Sequence, residues 1–215
     1  ATAGFDGFGL PTLPAFEFIA SVAQPRPGAE GTYTFAQPAE EVRPYLNEIR
    51  AVDGIVIIDL QPGRASFMEQ VRGYEELLME PDVHLALDPE WSMDERGVPG
   101  RVIGSIDAAT VNRVLDYLED LVIRHGLPQK LLIVHQFQLR MIEDRESIKD
   151  PPGIAVMFHV DGQGAVGAKY ETYGVLSVAP PFFNGFKLFF DEDSRVMSPA
   201  EVMALEPAPL YISYQ

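Results

Sequence analysis

Seven short apolar runs recur along this chain, separated by stretches with helical periodicity, and most of the runs stop in polar, ionisable residues. The runs occupy 16–23, 54–60, 83–88, 131–136, 153–159, 185–190 and 209–214. They are rich in Val, Ile, Leu and Phe and too short for core helices, so they read as buried strands. Their ends are distinctive. GIVIIDLQ closes on Asp59 and Gln61, VHLALDPEW on Asp88, Glu90 and Trp91, and KLLIVHQF on His135. GIAVMFHVDGQG closes on His159 and Asp161, FKLFFDED on Asp191, and PLYISYQ on Tyr214; FEFIASVAQ closes only on Gln24. An ionised group beside a core is costly unless it is paired. Its repetition at the C-terminal ends of strands points to a site in one mouth of a barrel or α/β sheet.

The stretches between the runs carry helix signals. In 107–125, Val111, Val114, Leu115, Leu118, Leu121 and Val122 form one stripe at 3.6-residue spacing, Asp107 can cap the start, and Gly126 and Pro128 follow the end. Ser198-Pro199-Ala200-Glu201 is a capping box with proline at the first helical position. Segments 39–51 and 65–79 are also expected to be helical, 138–148 more weakly so, and 165–178 is ambiguous because of its glycines. Alternating strands and helices predict parallel strands with right-handed crossovers. Without a GxGxxG or Walker A sequence to favour a nucleotide-binding open sheet, the expected fold class is α/β, a (β/α) TIM-like barrel forming one domain over 1–215. A full barrel needs eight strands and typically ~250 residues. Seven strands in 215 residues therefore predict an irregular barrel, or one lacking its first strand in this chain. Residues 24–37 and 92–104 read as long loops on the mouth side.

Composition narrows the chemistry. Hydrophobic content of 47% and charged content of 22% are ordinary for a globular chain. A net charge of −16 disfavours nucleic acid and anionic membrane surfaces as partners. The absence of cysteine excludes disulfides, thiolate catalysis and Cys-ligated zinc. No apolar run approaches the ~20 residues of a membrane span. The N-terminus lacks the basic and apolar regions of a signal peptide, which leaves either a cytoplasmic protein or one whose leader has been removed.

Strand alternation assigns side chains to faces. The inward set is Ile55, Ile57, Asp59 and Gln61; His84, Ala86 and Asp88; Leu131, Ile133, His135 and Phe137; Ala155, Met157, His159 and Asp161; Lys187 and Asp191; and Tyr211 and Ser213, with Tyr214 or Gln215 at the rim. His84, near the start of its strand, reads as a structural histidine. A network of polar groups this large is expensive to bury without a use.

The stretches VIIDLQPGR (56–64), HLALDPEW (84–91) and GLPQKLLIVHQF (126–137) resemble a family of bacterial exported proteins labelled lipoproteins, with a TIM-barrel-like, glycoside-hydrolase-like domain and no established activity. The resemblance runs from about residue 16 to the C-terminus. It implies a barrel, export to the cell envelope or beyond, and a natural protein that begins earlier with a leader and the missing strand. It carries no catalytic assignment.

Three functions compete on these residues. The first is a glycoside hydrolase acting on a cell-envelope or environmental polysaccharide. It needs two carboxyl groups, separated by ~5 Å for retention or ~6.5–9.5 Å for inversion. Glu90, beside Trp91, is the expected acid, with Asp161 or Asp191 as base or nucleophile and Asp88 and Asp59 as further candidates. Trp91, Phe137, Tyr173, Phe182 and Phe183 are candidate sugar platforms; Gln61, Lys187 and Tyr214 complete the substrate-binding set. The second is a metal- or histidine-dependent hydrolase or phosphodiesterase. His135, His159, Asp161, Asp59, Asp88 and Glu90 have suitable ligand types, although HxH and HExxH are absent. Two facing histidines could also serve as acid and base, and Lys187 could stabilise an anion. The third is a non-catalytic barrel that binds glycans or a protein partner. The absence of GxSxG disfavours a serine hydrolase. The expected partner is a carbohydrate or other small substrate. No cofactor is called for, with room left for a divalent metal, and no oligomeric state follows.

Overall fold

The computed structural model describes residues 2–28 and 30–215. Seven parallel strands appear where the apolar runs predict them: β1 (Ala15–Ala23), β3 (Ile55–Leu60), β4 (Val83–Leu87), β6 (Lys130–Gln136), β8 (Ile154–Val160), β9 (Phe183–Leu188) and β10 (Tyr211–Tyr214). A short strand inside the predicted loop 24–37, β2 (Thr34–Ala36), pairs antiparallel with the end of β1. The resulting eight-stranded sheet has the order β10-β9-β8-β6-β4-β3-β1-β2. It is an open, curled mixed sheet flanked by helices, as an irregular TIM-like barrel would be. Ladder hydrogen bonds do not close it between β10 and β1. Instead the Tyr211 hydroxyl on β10 donates to Glu17 Oε2 on β1 at 2.5 Å.

Helices α1 (Arg43–Arg50), α2 (Phe67–Gly73), α3 (Glu75–Leu78), α4 (Ala108–His125), α5 (Val166–Leu176) and α6 (Pro199–Met203) fill the connections. Helix α4 is capped by the Asp107 side chain, which accepts from Thr110 N, and ends at Gly126 with φ 61°. The capping box at Ser198 is formed. The predicted 65–79 helix breaks at Tyr74 because its hydroxyl bonds Ala20 O and Gln37 O, tying the connection to β1. The weak helix at 138–148 is instead two 3-10 turns around a two-residue strand, β7 (Ile142–Glu143), paired with β5 (Ile106–Asp107). None of the described helices is long and apolar enough to cross a membrane.

The two faces of the sheet follow the alternation. Val56, Ile58, Leu60, Leu85, Leu132, Val134, Val156 and Phe158 pack outward against α4 residues such as Val114, Leu115 and Leu118. On the inner face Ile57, Ala86, Ile133 and Met157 form a separate small cluster, joined by Ile55, Leu131 and Tyr211. This apolar plug is the floor on which the polar groups rest.

At the opposite end of the sheet His84 is structural, as its position predicts. Its Nδ1 accepts from the Leu131 backbone N–H at 3.0 Å, and it is 9% exposed. Burial, helped by the Lys130 charge, lowers its pKa to about 4. An unfolded histidine takes up a proton near 6.5, so the native state is the less protonated one between those values. His84 therefore contributes stability above pH 6.5 that is lost as pH falls towards 4, roughly 3 kcal/mol across that window. Urea denaturation at pH 7 and pH 4.5 should show a smaller loss for His84→Leu than for the wild type. The variant should also be weaker at pH 7 by about 1–3 kcal/mol, because the Leu131 N–H is left unpaired.

Candidate functional site

The polar layer begins one step above the plug. His135 on β6 and His159 on β8 are directly opposite in register, with ring centroids 5.1 Å apart and planes at 82°. Both are fully buried. Their surroundings differ. His135 Nδ1 is 3.0 Å from Asp161 Oδ2, and its Nε2 is 3.0 Å from Glu17 Oε1 and 3.8 Å from Asp59 Oδ1. The Nε2–Glu17 approach is off-axis: close enough for strong attraction but not aligned as a hydrogen bond, so Nε2 has no hydrogen-bond partner. His159 Nε2 is 2.8 Å from Ser213 Oγ, and its ring lies 4.8 Å from that of Tyr211. Its Nδ1 faces the Gly185 backbone without a partner.

The arrangement divides the charges. Burial disfavours the His135 cation, but Glu17 and the hydrogen bond to Asp161 overcome this and hold its pKa well above the ordinary value. Burial likewise opposes ionisation of Glu17 and Asp161, yet His135 draws both below the usual carboxylate range. Asp59 is pushed up to about 7 by burial, against the pull of His135 and with repulsion from Glu17. Asp88 is raised well above its ordinary value, again by burial. Burial and then the His135 charge lower His159 to about 3. At neutral pH the cluster holds an imidazolium between two carboxylates, a neutral histidine, and two carboxyl groups poised to keep their protons.

Above this layer opens a cavity of about 860 Å³, within the range for small-molecule sites. Of the residues expected from sequence, Asp59, Gln61, Asp88, Glu90, Trp91, Phe137, Asp161, Lys187 and Tyr214 line it. His135 and His159 lie behind its lining, in contact with the lining residues Glu17, Asp161 and Ser213. Glu90 is half-buried, and burial followed by Asp161 raises its pKa. Asp88 also accepts from Glu90 N at 3.2 Å, which fixes the turn presenting Glu90 and Trp91. Gln61 sits on the wall, but its Oε1 is engaged by Ala23 N and ties β3 to β1. Asp191 is placed elsewhere. β9 ends at Leu188, the chain turns away from the wall, and Asp191 is exposed outside the cavity lining. Its near neighbour Asp193 is buried in an ion pair with Lys169 at 3.0 Å and accepts from Gly164 N and Phe189 N, bracing the loops that follow β8 and β9.

Sequence reasoning missed Glu17 altogether and kept Tyr211 and Ser213 only as inward positions. The signal for Glu17 was present: an acid between Phe16 and Phe18 in an otherwise apolar run. The register is regular from Ala15 to Ile19 and pairs Glu17 with Ile57 of the inner face; the shift comes only after Ile19.

Neither a protein-family model nor a curated protein matches the chain. Among solved structures, the cellulose synthase subunit Z (CcsZ) from Clostridioides difficile aligns with 81% of this chain and 70% of its own, at 11% identity and a TM-score of 0.39. At that distance nothing about reaction or ligand passes from one protein to the other.

Gly185 is what lets His159 sit where it does. A Cβ there would lie 2.3 Å from His159 Nδ1 and 3.2 Å from its Cγ. Gly185→Ala should destabilise the fold by about 1–3 kcal/mol through overpacking and displace the imidazole from Ser213. Chemical denaturation and the histidine side-chain nitrogen spectrum would report both effects. Gly174→Ala in α5, where a Cβ meets nothing, should instead stabilise by up to ~1 kcal/mol.

Proposed function

We propose that this protein is a hydrolase whose centre is the Glu17–Asp59–His135 group, and that this group holds a divalent cation. One observation carries the proposal. Asp59 Oδ1 and His135 Nε2 are fully buried and lack hydrogen-bond partners, and together with a Glu17 oxygen they form a set of ligand atoms within 4.8 Å of one another. Unpartnered buried polar groups are costly, and two ligands on bonds of about 2.1 Å can stand up to about 4.2 Å apart. The Nε2 separations of 3.0 and 3.8 Å fall inside that limit. Asp161 completes the pattern, because a histidine that gives one nitrogen to a metal commonly donates its other N–H to a carboxylate.

Bound at this group, a cation would supply Lewis acidity and an activated water at neutral pH. The chain's own residues supply the rest. Asp161 fixes the His135 ring. Tyr211 orients Glu17 through its hydroxyl. Glu90, raised in pKa and open to the cavity, is the candidate proton donor to a leaving group. A second reading rests on a separate feature: Trp91, Phe137 and Tyr214 share the cavity wall with Glu90 and Asp161. Aromatic surfaces beside carboxyl groups suit a glycosidase that needs no metal.

Isothermal titration with Zn²⁺ and Mn²⁺ tests the first reading. Because His135 must give up its Nε2 proton to bind, metal uptake should release about one proton from His135 and, near pH 7, a further fraction from Asp59, and affinity should rise with pH as the elevated His135 pKa is approached from below. Asp59→Asn should weaken binding by at least about tenfold. Absence of binding in the wild type at pH 8 sinks the metal reading. Turnover of ester or glycoside substrates that persists in chelator would transfer the assignment to the carboxyl pair, and there Glu90→Gln should reduce kcat by about 10²–10⁴.

A further inference from the structure

The cavity is rich in acceptors, but one wall is different. Ser213 on β10 and Lys187 on β9 are register partners, so their Cα atoms are about 4.8 Å apart and their side chains point to the same face. Both line the cavity. The Lys187 ammonium forms no ion pair or hydrogen bond among the described residues; its Nζ lies 5.3 Å from the centroid of the Phe189 ring.

The state of Ser213 follows from the histidine behind it. A hydroxyl 2.8 Å from His159 Nε2 could be a nucleophile giving its proton to a base, or an acceptor of the imidazole N–H. Gly185 decides between them. His159 Nδ1 lies against the Gly185 backbone, where the Cβ position is only 2.3 Å away, and no acceptor is within reach. A proton on Nδ1 would be buried without a partner and pressed against that backbone. A lone pair there needs less room than an N–H does, and the Gly185 backbone leaves little. The proton therefore resides on Nε2 and is donated to Ser213 Oγ, leaving the serine hydroxyl hydrogen free to point into the cavity. The carboxylate that orients the base in a serine nucleophile pair is also missing.

We propose that Ser213 and Lys187 form an oxyanion-binding wall that takes the phosphoryl group or tetrahedral oxyanion of an ester substrate, with His159 as the positioning residue that aims the Ser213 proton. The inference deepens the hydrolase reading, since it names chemistry in which negative charge develops on oxygen. An oxocarbenium-like glycosidic transition state gathers positive charge on the sugar, which the Lys187 ammonium would oppose.

Inorganic phosphate is the probe, titrated calorimetrically into the full chain with Mn²⁺ and, separately, with chelator. Phosphate should bind in at least one condition, and Ser213→Ala and Lys187→Met should each weaken it by about tenfold or more. The side-chain nitrogen spectrum of the wild type should show His159 protonated at Nε2 alone. Absence of phosphate binding in both conditions, binding indifferent to both variants, or a proton on Nδ1 would overturn the proposal. So would covalent labelling of Ser213 by a fluorophosphonate, which would make it a nucleophile. Phosphate binding in chelator, with no uptake of Mn²⁺, would support the donor wall while removing the metal reading. Metal uptake without phosphate binding would do the reverse.

Discussion

Everything above the apolar plug depends on burying one charge. His135 has no exposure, and an imidazolium in such surroundings is tolerable only when paired and hydrogen-bonded. Glu17 and Asp161 meet that need from opposite sides of the ring. Once the pair is in place the neighbours are constrained. Asp59 and Asp88 cannot both ionise beside two existing carboxylates without further cations, so burial holds them up. His159, next to a cation, stays neutral. The protonation pattern of six side chains therefore follows from one ion cluster. The same cluster leaves Asp59 Oδ1 and His135 Nε2 without hydrogen-bond partners, and the proposed cation site rests on that observation.

The open seam serves that cluster. In a closed ladder β10 and β1 would exchange backbone hydrogen bonds and draw together. Here they meet through the Tyr211–Glu17 side-chain contact, and the cavity extends into the gap, where Phe16, Ile19 and Leu13 form part of its wall. The contact has two consequences. It tethers the last strand to the first, and it fixes the carboxylate oxygen of Glu17 that His135 does not approach. Strand pairing elsewhere is regular enough that β6 and β8 match residue for residue from Lys130 to Gln136, so irregularity is confined to the side where a ligand could enter.

Much of this was legible in the sequence because parallel strands buried on both faces still alternate. Each of the seven apolar runs is a strand. The phase of Ile57, Asp59, Ile133, His135, Met157 and His159 placed the plug and the polar layer correctly. Alternation holds only while the strand continues. β9 stops at Leu188, so counting on to Asp191 carried the pattern past the point where the chain left the wall. In β1 the run was read by its end at Gln24, and Glu17 inside it was passed over although its register with Ile57 is regular. Site readings from the strand ends alone also could not distinguish His135 from His159, because nothing local to either residue sets its charge.

That distinction is the most informative feature of the site. Two histidines in register on adjacent parallel strands have the same backbone environment and the same distance from the plug. Long-range partners alone separate them: β1 and the loop after β8 bring carboxylates to His135, whereas β10 brings a hydroxyl to His159 and β9 closes off its other nitrogen with a glycine. The cavity in front of these two imidazoles has two chemical sides. The side of β1 and β3 presents carboxyl groups and carries the proposed cation site, which forms only once His135 gives up its Nε2 proton; the side of β9 and β10 presents Lys187 and Ser213, the proposed oxyanion wall. A substrate whose reacting centre lies between a cation and two donors is polarised in one direction only, and that fixes which of its oxygens can gather negative charge.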